Sequence, residues 1–309
     1  MSSLYKFRTA NLSKDSKGSC LFLYNTTQHL LTQRARGWKQ FKLLRGSKTV
    51  ASISFNVRGT KGCSPFRAPF GGFEIYDLVP DQVIETWWHQ CITESLRKQG
   101  VKKIDIKSPP KIVNENLFSA VDNLMQTQHA TRQDEVASVL SVDGDSFKKK
   151  ISAVKRQRLE KNRVAFSFKK IPLVQVGAVY RFLSVCRKER GHQLSLTLPV
   201  LRALSRVFPR HIMLFGVQVE NEWAAQAVVV RESKDVWYTF YYGHLQKFNK
   251  QSPTVFLMDH MYRLAQSKGV RWINMGTSML DGEINRPLLH FKESIGAKTT
   301  IKRTYQLHL

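Results

Sequence analysis

A chain of 309 residues, 42% hydrophobic and 11% aromatic, can bury a core the size of one large domain or two ordinary ones, which excludes a disordered chain. Its 49 Lys and Arg against 23 Asp and Glu give a formal net charge of +26, so the expected partner is anionic: RNA, a nucleotide cofactor, an acidic glycan or an anionic membrane surface. The excess is uneven, +7 over residues 1–145 and +19 over residues 146–309. Cys20, Cys63, Cys91 and Cys186 form no Cys-x-x-Cys pair, and a chain this long needs no disulfide staples, so reduced thiols in a cytoplasmic setting are expected. The polar start has no apolar signal core, and no apolar run nears the ~20 residues that span a bilayer. Membrane contact, if any, is expected to be peripheral.

The first third reads as strand-rich. Residues 38–45 and 49–57 gather β-formers around a Gly46-Ser47 turn. Pro80 and Asp81 open a helix whose apolar positions, from Val83 to Leu96, recur at three- and four-residue spacing. Gly100 stops it, and residues 101–107 alternate as a strand. A short helix near 114–124 and a strand near 135–142 follow.

A basic helix is then expected from Phe147 to Lys161, with Phe147, Ile151 and Val154 as its buried stripe. Residues 165–170 read as a strand, 173–190 as a helix stopped by Gly191, and about 199–208 as another helix. A meander follows over 211–220, 223–232 and 236–243. Ser252-Pro253 reads as N-cap and first turn of a helix that buries Val255, Met258, Met261, Tyr262 and Ala265. Gly269 stops it, residues 270–276 form a strand, and residues 300–309 alternate as a last strand.

One ending occurs twice. Gly100-Val101-Lys102-Lys103-Ile104-Asp105-Ile106 and Gly269-Val270-Arg271-Trp272-Ile273-Asn274-Met275 share the pattern Gly, Val, basic, any, Ile, Asp or Asn, apolar. Each follows a helix with proline near its start, which suggests a duplicated unit divided as 1–145 and 146–309.

From about residue 147 onward the ordered series resembles the Fem-type branch of the GNAT acyltransferase fold. The likeness rests on FKKKISAVKRQRLEKNRVAFSF, VYRFLSVCRKERG, GVQVENEWAAQAVVV, WYTFYYG, Pro253 with its helix, VRWINMG and the Phe291-Lys292 pair. The resemblance implies an α/β protein of two tandem GNAT-like units, each a mixed, mostly antiparallel sheet flanked by helices; the first half follows from the repeat. It also implies a donor held at a helix N-terminus, where free N–H groups and the helix dipole suit phosphate or carboxylate. Here that is the loop before the Pro253 helix, with Lys247, Lys250, Ser252 and Thr254 as donor-binding candidates.

Tyr238, Tyr241 and Tyr242, expected on alternating faces of their strand, and the adjacent His244 could orient a carbonyl or pass a proton. Lys292 matches the lysine of the family's Phe-Lys pair and could stabilise an oxyanion or hold a phosphate. Tyr241, Tyr242, His244 and Lys292 are therefore the catalytic candidates. Lys149, Lys150, Arg156 and Arg158 are the candidates for binding an anionic substrate or RNA.

The glycine-rich pyrophosphate loop of CoA-dependent GNAT enzymes is missing. The donor therefore stays open between acyl-CoA and aminoacyl-tRNA. Histidines and cysteines lack metal-ligand spacing, so no metal is expected. The expected activity is transfer of an acyl or aminoacyl group to an amine or hydroxyl of a cell-envelope (cell-wall) or carbohydrate precursor. A nucleotide-linked precursor, CoA or tRNA would be the anionic partner. The alternatives are a CoA-dependent N-acetyltransferase of a sugar nucleotide and a non-catalytic RNA-binding protein on the same fold.

Overall fold

The computed structural model describes residues 4–12, 20–162 and 164–309. They form two compact units, Met1–Glu135 with Thr300–Leu309, and Val136–Thr299.

In the first unit β1 (Tyr5–Asn11), α1 (Thr27–Gln33), β2 (Trp38–Arg45), β3 (Lys48–Arg58), β4 (Lys61–Ser64) and β5 (Glu74–Ile75) precede a long helical segment. That segment is α2 (Asp81–Trp87), a π turn (Trp88–Thr93) and α3 (Glu94–Arg97). Then come β6 (Lys103–Lys107), α4 (Glu115–Thr127) and β7 (Thr131–Ser141), within which the second unit begins. Asn114 caps α4, its side chain accepting from Leu117 N–H at 3.0 Å. Trp87, Trp88, Ile92 and Leu96 are fully buried in this unit, as are Phe41 and Phe55 of its sheet.

The second unit continues with α5 (Phe147–Lys150), α6 (Ala153–Lys161), β8 (Phe166–Ile171), α7 (Val176–Lys188), α8 (Leu198–Val207), β9 (Ile212–Val219), β10 (Glu222–Arg231) and β11 (Val236–His244). It is completed by α9 (Pro253–Ser267), β12 (Trp272–Thr277), the small hairpin β13 (Met279–Leu280) and β14 (Glu283–Ile284), and α10 (Arg286–Ser294). β15 (Lys298–His308) ends the chain. Alternate residues of β9 and β10 feed two apolar clusters on opposite faces of the sheet. Phe215, Val217, Ala227 and Val229 pack with α9, and Leu214 and Val228 with α7 and α8.

The strand orders within the two units have one pattern. In the first unit the order is β1-β2-β3-β4-β6-β15, in the second β8-β9-β10-β11-β12-β7. β4 with β6, and β11 with β12, run parallel, whereas β1–β2, β2–β3, β3–β4, β6–β15, β8–β9, β9–β10, β10–β11 and β12–β7 are antiparallel. The repeated sequence ending is repeated geometry. Gly100 and Gly269 take left-handed backbone (φ +77° and +67°), where a Cβ would be strained. The following valines donate back to Leu96 and Ala265 carbonyls at 3.1 and 3.0 Å. These are Schellman helix stops. In each copy the next two N–H groups then share one carbonyl, Thr60 in the first and Asp235 in the second.

Two expectations are corrected. The basic segment from Phe147 to Lys161 is not one helix. Ile151 is extended (ψ 153°), Ser152 N–H donates to Ser294 O at 2.9 Å, and α6 starts afresh. Phe147 and Ile151 are buried, but Val154 is exposed and Leu159 takes the inward position. Ser252 occupies the N-cap position of α9 without capping it. Its backbone is left-handed (φ +55°), and its hydroxyl instead accepts from Arg158 at 3.2 Å. In the compact units, Val136–Asp145 cluster with the second unit and Thr300–Leu309 with the first. The physical reason is strand pairing, since β7 bonds to β12 and β15 bonds to β6.

Candidate functional site

In the second unit β11 and β12 pair only over Val236–Tyr238 and Trp272–Asn274. Two irregularities part them beyond that point. β12 slips register against β7 between Asn274 and Thr277, with Gly276 at φ +70° and its N–H on Asn274 Oδ1 at 2.9 Å. β11 carries a bulge, because Tyr241 pairs with Val228 and Thr239 with Val229, leaving Phe240 out of register. Such bulges re-aim side chains. A cavity of about 300 Å³ opens where the strands part, lined by their far ends, the last turn of α7, Thr254 of α9, and α10.

Lys292 of α10 lines this cavity although its side chain is almost wholly buried. Its ammonium donates to Gly276 O and Thr277 O, both at 2.9 Å, so the displaced turn of β12 supplies its acceptors. Burial, and then the Arg187 guanidinium, push its pKa down from 10.5 to about 7. The lysine thus exchanges its proton near neutrality. Tyr242 also lines the cavity. Its hydroxyl is buried with no hydrogen-bond partner, and burial raises its pKa.

His244 stands at the cavity edge, with Nδ1 2.8 Å from Thr254 Oγ1 and Nε2 2.7 Å from Asn249 Oδ1. Burial holds its pKa below the usual 6.5, so the neutral imidazole prevails at pH 7. No Asp or Glu lines the cavity.

The candidates named from sequence separate. Lys292, Tyr242, His244 and Thr254 meet in the cavity. Tyr241 does not. Its side chain joins the α7–α8 face, where its hydroxyl lies 2.6 Å from Ser195 Oγ and accepts from Leu196 N–H at 2.8 Å. The bulge at Phe240 sends the neighbouring tyrosines apart. Lys247 pairs with Glu222, Lys149 with Asp145 at 2.9 Å, and Lys150 with Asp143 at 2.5 Å. Arg156 reaches Ile151 O at 3.5 Å. Lys250 and Arg158, with Ser252 held by the latter, border a second cavity of about 340 Å³ together with Lys161 and Gln251.

Sequence reasoning missed two arginines at the end of α7 and just beyond it. Arg187 and Arg190 line the first cavity, and their signal was only a basic helix end in VCRKERG. It also missed Lys155, which stands over the Phe291 ring at 5.4 Å and whose pKa is lowered by burial and by Arg158. Among the described residues no cluster of three His, Cys, Asp or Glu could hold a metal, and no helix is long and apolar enough to cross a membrane.

No protein-family model matches the chain, and no curated protein matches it by sequence. Solved structures do match. FemX superposes with a TM-score of 0.71 at 11% identity, covering 93% of this chain and 92% of its own. L-PGS from Bacillus licheniformis gives 0.57 at 13% identity over 92% and 87%. A tandem GNAT protein from the clavulanic acid biosynthesis pathway gives 0.52 at 11% identity over 98% of each chain. The chain therefore has the Fem-type, GNAT-like acyltransferase fold; identities this low speak for the fold alone.

Proposed function

We propose that this protein is an acyltransferase, built of two tandem GNAT-like units, that moves an acyl or aminoacyl group onto an amine or hydroxyl of a cell-envelope or carbohydrate precursor in the cytoplasm. The observation that carries the reading is the cavity between β11 and β12, where burial lowers the pKa of both Lys292 and His244 and the lining holds no carboxylate. Perturbed groups converging in one cavity are the signature of a reaction site.

In this reading the acceptor nitrogen or oxygen attacks the acyl carbonyl directly. The new C–N or C–O bond forms as the donor's ester or thioester bond breaks. Neutral His244 takes the proton lost by the acceptor and returns it to the leaving hydroxyl or thiol. Lys292, anchored by two backbone carbonyls, keeps one N–H for the oxyanion of the tetrahedral intermediate. Tyr242 offers its hydroxyl to the bound substrate, and Thr254 orients His244. The rest of the rate comes from holding donor and acceptor together. The donor is acyl-CoA or aminoacyl-tRNA.

The test is mass spectrometry of candidate amine and hydroxyl acceptors incubated with the protein and either donor. Transfer that is lost in Lys292→Met is the expected result. A folded protein that transfers from neither donor would overturn the assignment.

A second reading, RNA binding without catalysis, draws on the second cavity, whose Arg158, Lys161 and Lys250 make no ion pair among the described residues. It requires salt-dependent RNA binding that survives Lys292→Ala, with no turnover.

A further inference from the structure

The reaction-site cavity holds one cation without a counterpart. Arg190 is committed: its guanidinium donates to Cys186 O at 2.8 Å and His244 O at 3.0 Å and lies 3.8 Å from the Glu189 carboxylate. Lys292 is committed to Gly276 O and Thr277 O and is only partly charged near neutrality. Arg187, the other arginine in the lining, makes no side-chain hydrogen bond or ion pair with any described residue. Its charge is nonetheless felt inside, opposing the burial that raises the Tyr242 hydroxyl and adding to the burial that lowers Lys292. A partly buried guanidinium facing a buried, unpartnered hydroxyl and a lysine, with no carboxylate in the lining, is electrostatically incomplete.

We propose that Arg187 is the substrate-recognition residue of this cavity, binding a singly charged oxyanion of the substrate, a carboxylate or a phosphodiester, with the Tyr242 hydroxyl as second donor. The guanidinium supplies two parallel N–H bonds, which suit a planar or tetrahedral oxyanion alike, and the phenol satisfies a remaining lone pair. A single charge fits because a single cation is uncompensated. The bound anion also removes the like-charge pressure of Arg187 on Lys292, so the lysine holds its proton more firmly once substrate is in place. This inference rests on the acyltransfer reading for the location of the substrate, and its first test reads binding rather than turnover.

The test is a ligand-observed NMR titration of the full chain at constant ionic strength, with N-acetylglycine, its neutral amide N-acetylglycinamide, and dimethyl phosphate. Wild type should bind at least one of the two monoanions about tenfold more tightly than the amide. Arg187→Gln should bind all three alike. Arg187→Lys, which keeps the charge but loses the fork, should retain part of the preference and serves as the control if the glutamine variant does not fold. Preference for N-acetylglycine identifies a carboxylate, and preference for dimethyl phosphate a phosphodiester.

A wild type that does not distinguish anion from amide overturns the proposal, as does a preference that survives Arg187→Gln. Arg187-dependent binding without transfer would instead count against the acyltransfer reading. Transfer with an unchanged KM in Arg187→Gln would leave that reading standing and remove this one.

Discussion

At the scale of single residues, the sequence marks Lys292 through its place beside Phe291, but its chemistry comes from burial, which no residue type announces. A surface lysine and this one look the same in sequence. What differs is that β12 turns two carbonyls toward Nζ and that the side chain is almost wholly buried. The consequence has a definite sign. The folded state releases the Lys292 proton near pH 7, whereas the unfolded chain keeps it to 10.5. Between those values the unfolded state binds more protons, so this residue makes stability rise with pH. Relative to Lys292→Met, wild type should therefore gain on the order of 2 kcal/mol between pH 6 and pH 9, read by urea unfolding at the two pH values. The activity of the free enzyme, read as kcat/KM, should run the other way, falling as pH rises through about 7, where the ammonium is lost. Lys292→Arg, which stays charged, should keep its activity above that pH if the larger group is accommodated. His244 was legible as a candidate because it follows WYTFYYG. The partners that orient it, Asn249 and Thr254, lie five and ten residues on, around a turn into α9 whose path no periodicity encodes.

At the scale of elements, long periodic segments were legible and irregularities were not. The helix before Gly100, the helix before Gly269 and the 211–243 meander stand where spacing and glycine stops put them. Apolar spacing averages over several residues, so it is blind to a one-residue insertion in a strand or a one-residue break in a helix. The bulge at Phe240 separates Tyr241 from Tyr242, the slip at Gly276 opens the cavity, and extended Ile151 divides the basic helix. These three breaks decide which candidates meet. Gly276 is the one a substitution tests most directly. Its backbone is left-handed, and a Cβ there would lie 3.1 Å from the Tyr238 ring. Gly276→Ala should cost about 1–3 kcal/mol of stability through the strained backbone. It should also disturb the carbonyls that hold Lys292, so that thermal unfolding shifts down and turnover drops together. A variant with unchanged turnover would show that the slipped turn is not needed for the site.

At the scale of the whole molecule, the repeated Gly-Val-basic ending carried the two-part organisation, and the copies agree down to the carbonyl each helix stop returns to. The repeat could not show where the last strand of each copy goes. Along the chain β7 follows β6 and α4, yet it pairs with β12; β15 follows β12 and α10, yet it pairs with β6. Strand sequences specify a face and an alternation, and both strands would satisfy either position, so partner choice is invisible to pattern. It has an experimental consequence. Residues 1–145 expressed alone lack β15, whose Tyr305 and Leu307 are buried in the intact chain and whose backbone closes the Lys103–Lys107 edge of β6. An open, apolar strand edge invites aggregation. That fragment should therefore be poorly soluble and unfold without cooperativity, and supplying the peptide of residues 298–309 should restore a sharp urea transition. A fragment that unfolds just as sharply without the peptide would mean that β15 adds nothing to the first unit, and that the division at 145/146 read from the repeat marks a true folding boundary.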